Sequence, residues 1–125
     1  MAYVTTSSPR IAVLSYPQPD TTVCTVTGKI DTDTTPALWT VLAQAVRGDN
    51  PHLVIDLSAV TFLDSHGLHA LFVARNHHDL RGGGLLTAVI DKRTAVISAL
   101  YIVALEVTFD LHTTLTDALH ACATR

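Results

Sequence analysis

A serine flanked by a carboxylate and an imidazole is the feature of this sequence best suited to chemistry. Asp64, Ser65 and His66 follow Phe62-Leu63 and precede a helical pattern that starts at His69. We predict that Ser65 stands at the start of a helix, where backbone N–H groups and the helix dipole favour negative charge. A phosphate on Ser65 would be accommodated there, adding a charge of about −1.5 to −2. From spacing alone the simpler interpretation is a helix cap, because Ser and Asp are both favoured at that position.

A catalytic role for this run is not supported by its spacing. Consecutive residues at a helix start point in different directions, so Asp64, Ser65 and His66 cannot form a serine–base–carboxylate relay. The sequence also lacks a Gly-x-Ser-x-Gly nucleophile elbow. Gly82-Gly83-Gly84 is followed by Leu85-Leu86 rather than by the Lys-Ser/Thr of a phosphate loop. We therefore expect no enzymatic activity and no cofactor.

The seven histidines invite a metal hypothesis. His66 and His69 have the i, i+3 spacing that can share one helix face, but His77 and His78 fall two or more turns away. Zinc sites ordinarily need three or four ligands. We expect solvent-facing histidines and no metal site.

Length and charge limit the function classes. A chain of 125 residues is one domain, 1–125, with a core from about 11 to 122. Apolar residues make up 48% of it, which supports a packed core. The net charge of −3 has the wrong sign for generic nucleic-acid binding. Nucleic acid is therefore excluded as a partner.

The sequence offers no membrane span or secretion signal, and we expect a cytoplasmic protein. The longest charge-free apolar stretch, 94–105, has twelve residues, whereas a spanning helix needs roughly 20. The segment Met1 to Arg10 has polar residues where a signal peptide would carry its apolar region. Cys24 and Cys122 are expected to be buried thiols in a reducing compartment, with a redox-sensing pair left open.

Strand and helix patterns alternate along most of the chain, in the order β-β-α-β-α-β-α-β-α. The predicted strands cover 11–14, 23–30, 53–57, 85–90 and 107–111. The first predicted helix begins near Thr34-Thr35-Pro36 and ends before Gly48, and the others cover 65–81, 94–104 and 113–123. This order implies an α/β fold with a mixed, mostly parallel sheet of about five strands and about four packed helices. Sites in such sheets gather at strand ends, where Asp64 and Ser65 lie.

This order, with Thr27-Gly28-Lys29-Ile30-Asp31 and Phe62-Leu63-Asp64-Ser65-His66-Gly67-Leu68, resembles the STAS domain of bacterial anti-sigma factor antagonists. In that family a Gly-Glu-Leu-Asp-like turn ends the second strand, and the third strand leads into Asp-Ser-Ser/Thr-Gly-Leu. The serine after the aspartate is phosphorylated by the partner anti-sigma kinase, and it corresponds to Ser65. Two residues depart from the pattern: His66 replaces Ser or Thr, and Lys29 replaces an acidic residue.

The resemblance implies a partner-switching cycle. The unphosphorylated antagonist binds its anti-sigma factor, a serine kinase, and frees the sigma factor; phosphorylation of Ser65 ends binding, and a phosphatase restores it. The implied partner-binding residues are Asp31, Asp33, Asp64, His66, Gly67 and Leu68. For Asp31 and Asp33, turn chemistry and capping of the first helix are equally weighted alternatives. We expect a monomer without cofactor or metal. The alternative is a STAS interaction module in a larger regulatory or lipid-transport assembly, without phosphorylation.

Overall fold

A six-stranded sheet forms the centre of the molecule. The computed structural model describes residues 4–7, 11–18, 20–81, 84–91 and 97–124. The strands are β1 (Val4–Ser7), β2 (Ile11–Gln18), β3 (Thr21–Ile30), β4 (His52–Leu63), β5 (Leu86–Val89) and β6 (Asp110–His112). They lie side by side in chain order. The first three pair antiparallel, and β3 to β6 pair parallel.

Helices cover both faces of this sheet, as expected where parallel strands are joined by crossovers. They are α1 (Thr35–Arg47), α2 (Ser65–Arg81), α3 (Ala99–Thr108) and α4 (Leu115–Ala123). Apolar residues of α1, α2 and α3 pack with one face of β3 and β4 in the larger core. Ala118 and Cys122 of α4 pack with Val23, Val54 and Val89 on the other face. The predicted α/β class is confirmed.

The two cysteines lie in different cores. Cys24 belongs to the larger core, whereas its neighbour Val23 points to the α4 side, because successive side chains of a strand alternate between faces. Cys122 is on the α4 side. Both are buried and no disulfide joins them, and the sheet lies between the two cores that hold the thiols. The redox pair left open by the sequence is therefore wrong for the folded protein.

Strands β1, β2 and β4 were predicted much too short or not at all. Strand β2 runs to Gln18 instead of ending at residue 14. Strand β1 lies outside the predicted core. Strand β4 runs to Leu63 instead of ending at residue 57. Its pairing with β3 shifts register between Thr25 and Thr27 and again between Gly28 and Lys29. These irregularities disturb the alternation on which a strand prediction relies, and Gly28, with a φ of 103°, adopts the conformation that glycine tolerates best.

The region after β5 also differs from its prediction. The predicted helix 94–104 overlaps residues 94–96, which lie outside the described residues; the described helix begins at Ala99 and continues to Thr108. The predicted strand 107–111 is therefore wrong at its start, and β6 begins at Asp110. Val107 suggested a strand because it is β-branched, but it is 80% exposed on the last turn of α3. Within the described part of the chain, no helix is long and apolar enough to cross a membrane.

Candidate functional site

The ends of β3 and β4 bring two chain segments together. Ile30 and Leu63 are register partners at the carboxyl ends of these parallel strands. The backbone N–H of Asp64 donates to the carbonyl oxygen of Ile30 at 3.1 Å. The β3–α1 loop, residues 31–34, therefore lies beside the first turn of α2. This juxtaposition defines the candidate site.

Asp64 is the cap of α2. Its Oδ1 accepts a hydrogen bond from the backbone N–H of Gly67 at 3.0 Å, and its carbonyl accepts from the N–H of Leu68 at 3.0 Å. A carboxylate that accepts from the third helical N–H satisfies one otherwise unpaired donor and suits the positive end of the helix dipole. Asp64 thereby fixes where the helix begins, and Ser65 becomes its first residue.

Gly67 seats this helix start directly on the sheet. It is buried, and a Cβ at this position would overlap Cγ2 of Ile30 and approach Cδ1 of Leu63 to 2.7 Å. Only glycine allows so close an approach. Leu68 is half-buried and packs against the larger core. Both predicted partner-binding residues thus hold the helix in place, and contact of either with a partner stays a prediction.

Ser65 is exposed at the first position of α2. No described residue forms a hydrogen bond with its hydroxyl. The capping role that spacing favoured for this stretch is performed by the Asp64 side chain. The serine hydroxyl is consequently left accessible from solvent.

The β3–α1 loop is held by its own side chains. Asp31 Oδ1 accepts from the N–H of Asp33 at 3.0 Å and from the N–H of Thr34 at 3.1 Å. The buried Thr34 hydroxyl donates to the Lys29 carbonyl at 2.7 Å and accepts from the Asp31 N–H at 2.8 Å. Turn chemistry is therefore confirmed for Asp31. Thr34 occupies the cap position of α1 but makes no side-chain cap bond, since its hydroxyl is engaged in this loop.

His66 connects the two segments. Its Nδ1 lies 3.0 Å from Oγ1 of Thr32 in the β3–α1 loop and 3.8 Å from Oδ2 of Asp64. Its side chain is 64% exposed. When protonated, the ring can donate to Thr32 and form an ion pair with Asp64. Sequence reasoning missed Thr32, because nothing in its spacing links it to a residue 34 positions away.

Lys29 and Phe62 lie beside the site, one residue before the ends of β3 and β4. They are register partners, so their side chains share a face. Both are exposed, and Phe62 is 46% exposed although it is a large apolar residue. Sequence analysis did not select Phe62 as a site residue because it ended the strand at residue 57. In the sequence Phe62 and Leu63 are adjacent apolar residues, so nothing local distinguishes the exposed side chain from the buried one.

The parts of the chain that the structure describes contain no group of three or more His, Cys, Asp or Glu side chains placed to hold an ion.

Comparison with known families agrees with this architecture. The family model of the STAS domain matches residues 13–118. The chain belongs to the STAS domain family. This STAS protein is 34% identical over 97 residues to the anti-sigma-F factor antagonist RsfB of Mycobacterium tuberculosis, covering 78% of this chain and 77% of RsfB.

Solved structures resemble the STAS protein over most of its length. An anti-sigma factor antagonist from Mycobacterium paratuberculosis superposes with a TM-score of 0.77 at 34% identity, covering 94% of this chain and 99% of that one. A STAS domain protein from Planctomyces limnophilus gives a TM-score of 0.68 at 16% identity, covering 88% and 96%. The second likeness concerns the fold alone. The family match, the RsfB relative and the first of these structures confirm the resemblance to anti-sigma factor antagonists.

Proposed function

We propose that this STAS protein is an anti-sigma factor antagonist that binds an anti-sigma factor with serine kinase activity, frees a sigma factor, and is switched by phosphorylation at Ser65. One observation carries the proposal: an exposed serine hydroxyl begins α2 directly after its capping carboxylate, in a chain 34% identical to a named antagonist.

Accessibility favours Ser65 as a kinase substrate. The hydroxyl is on the surface, and the Asp64 cap and the packing of Gly67 keep the first turn of α2 in one conformation. A kinase can therefore approach the hydroxyl without unfolding the helix. Asp64 and the loop residues beside it would form part of the same docking surface.

Electrostatics explains how the modification would end binding. Asp64 already places one carboxylate beside Ser65, and Asp33 is exposed in the neighbouring loop. A phosphate adds about −1.5 to −2 charge units. In an interface that excludes water, this charge costs desolvation energy and repels nearby carboxylates. A change of roughly 3 kcal/mol lowers affinity more than a hundredfold.

The remaining features of the proposal follow from this role. The protein acts as a binding partner without catalysis or cofactor of its own, as a monomer in the cytoplasm with its sigma factor. A phosphatase would return it to the binding form.

The proposal is tested by phosphate transfer from the anti-sigma factors encoded in the same genome. Each is purified and incubated with ATP and the full chain, and the products are mapped by mass spectrometry. One kinase should place a single phosphate on wild type and none on Ser65→Ala. Ser98→Ala is the matched control, because Ser98 is also exposed at a helix start and makes no side-chain cap bond. The proposal would be contradicted if Ser65→Ala still received a phosphate. It would also be contradicted if no kinase phosphorylated the wild type.

A second candidate is a STAS interaction module that binds a constant partner in a larger regulatory or lipid-transport assembly. The observation that favours it is an apolar stripe on α3, where Leu100, Val103 and Val107 are 72%, 55% and 80% exposed. Unmodified Ser65 in native cells, together with a partner lost on Val103→Ser, would support this function over the first.

A further inference from the structure

The second half of β4 presents pairs of residues on the outer face of the sheet, the face on which α4 packs. Leu57, Val60 and Leu63 are buried in the larger core. They are three positions apart, whereas an undisturbed strand returns to the same face every second residue. The two register shifts against β3 explain this spacing, because each adds one residue to β4. Each bulge therefore leaves two consecutive residues exposed: Ser58 and Ala59, then Thr61 and Phe62.

Helix α4 covers only the first half of this outer face. Its buried residues pack with Val23 of β3 and Val54 of β4. Further along β3, Thr27 and Lys29 share the outer face with Val23, because side chains alternate, and both are exposed. No described helix covers this part, although parallel strands are ordinarily covered on both faces. We refer to it as the open face, and its six residues are Thr27, Lys29, Ser58, Ala59, Thr61 and Phe62.

The open face combines one aromatic side chain with one cation. Phe62 is 46% exposed, and Lys29 is its register partner on β3. No described residue forms a hydrogen bond or an ion pair with the Lys29 ammonium group. Asp56 lies on the same side of β4, but it is buried and accepts hydrogen bonds from the N–H and the hydroxyl of Ser58. Lys29 is therefore the only charged side chain of the open face.

The open face continues into the candidate site at the carboxyl ends of the strands. Phe62 is three residues before Ser65. The carbonyl oxygen of Lys29 accepts from the Thr34 hydroxyl at 2.7 Å, which ties this end of β3 to the β3–α1 loop. A protein that reaches the Ser65 hydroxyl therefore meets the open face beside it. An exposed aromatic ring next to a cation suits a segment that brings a carboxylate beside an apolar side chain.

We propose that the open face docks the anti-sigma factor through a segment in which a carboxylate pairs with Lys29 and an apolar side chain packs on Phe62. This inference rests on the proposed function, because it states the chemistry of that same partner. Docking excludes water from the Lys29 ammonium group, so an opposite charge is favoured there and a like charge is repelled. Lys29 thereby selects among anti-sigma factors by charge.

Charge reversal in the full chain tests the role of Lys29. The partner is the anti-sigma factor that phosphorylates Ser65, and calorimetric titration measures its affinity at about 0.15 M salt. Lys29→Glu should lower the affinity about tenfold or more. Lys29→Met should lower it by up to about fivefold, because methionine removes the charge without adding repulsion. Replacing one acidic residue of the anti-sigma factor with lysine should restore binding to Lys29→Glu.

Arg47→Glu is the matched control, since it changes the net charge by the same amount. Arg47 is exposed at the last position of α1, roughly 18 Å along the helix from the carboxyl ends of the strands. Its substitution should leave the affinity within about twofold of the wild type, because salt screens charges at that distance. An affinity of Lys29→Glu equal to or higher than that of the wild type would overturn the inference. An equal loss in Arg47→Glu would also overturn it, because net charge would then suffice.

Two further comparisons separate the docking surface from its alternatives. Sedimentation of the wild type and Phe62→Ser tests a second copy of the chain as the occupant, and a dimer that is lost on substitution would overturn the inference. If Lys29→Glu weakened binding but phosphoserine at position 65 did not, the proposed switch would fail and the docking surface would stand. If phosphoserine weakened binding and Lys29→Glu did not, the docking surface would fail and the switch would stand.

Discussion

Gly67 and Ile30 lie so close together that a single added carbon on the glycine would overlap the isoleucine side chain. The glycine is in the first turn of α2, and the isoleucine is the last residue of β3. This contact, with the Asp64 cap, determines how far the helix start stands above the sheet. The exposed position of Ser65 therefore depends on a residue that itself is buried.

Replacing Gly67 with alanine should destabilise the fold and displace α2. Overpacking costs about 1–3 kcal/mol, which exceeds the gain in helix propensity of up to about 1 kcal/mol. Urea denaturation followed by circular dichroism measures the change. Gly48→Ala is the control, since its Cβ would lie 3.4 Å from the carbonyl oxygen of Ala45 in ordinary contact, and its free energy of unfolding should stay equal or rise. A larger loss for Gly48→Ala than for Gly67→Ala would refute the packing described here.

Replacing Thr34 with valine should loosen the β3–α1 loop. The substitution leaves the partly buried N–H of Asp31 and the carbonyl of Lys29 without the hydroxyl that pairs with both. The expected loss in unfolding free energy is about 1–3 kcal/mol. Thr40→Val removes a hydroxyl bonded to Pro36 on the exposed side of α1, and should change stability by less than about 0.5 kcal/mol. Equal losses in the two variants would contradict the role of Thr34.

Two substitutions separate the contributions that the capping hydrogen bond and the negative charge of Asp64 make to stability. Asp64→Ala removes both and should lower the free energy of unfolding by about 1 kcal/mol. Asp64→Asn keeps an oxygen that can accept from the Gly67 N–H, so most of that stability should remain. Thermal denaturation of the two variants makes the comparison. If asparagine destabilised the protein as much as alanine, the hydrogen bond at 3.0 Å would not be the source of the cap's contribution.

Phe62 should contribute to partner binding more than to stability. It is 46% exposed beside Lys29, three residues before Ser65. Under the proposed function, Phe62→Ser should weaken binding to the anti-sigma factor by about tenfold or more, as for an aromatic anchor. Val103→Ser changes an exposed apolar residue on α3 and should leave that affinity unaltered. Calorimetric titration measures the affinity of each variant for the anti-sigma factor. A larger loss of affinity for Val103→Ser than for Phe62→Ser would place the binding surface on α3 instead.

The sequence was sufficient for the fold class and for α2, but not for the contacts within the site. The helix predicted over 65–81 agrees with Ser65–Arg81, because the apolar spacing and the preceding Asp64-Ser65 are local signals. Helical spacing places one set of α4 residues on the same side, and this set does pack together: Leu115, Ala118, Leu119 and Cys122.

Features that depend on distant residues escaped prediction. The Thr32–His66 contact joins residues 34 positions apart, and the extent of β4 depends on register shifts against β3. Each of these depends on tertiary pairing, which local patterns do not encode.

The central claim is that a phosphate on Ser65 switches partner binding. The most direct measurement is the affinity of the anti-sigma factor for the full chain, with and without genetically encoded phosphoserine at position 65. Phosphoserine at position 98 serves as the charge-matched control. We predict a loss of more than about a hundredfold for phosphoserine 65 and little change for phosphoserine 98. Equal affinities for the unmodified protein and the form phosphorylated at Ser65 would contradict the account.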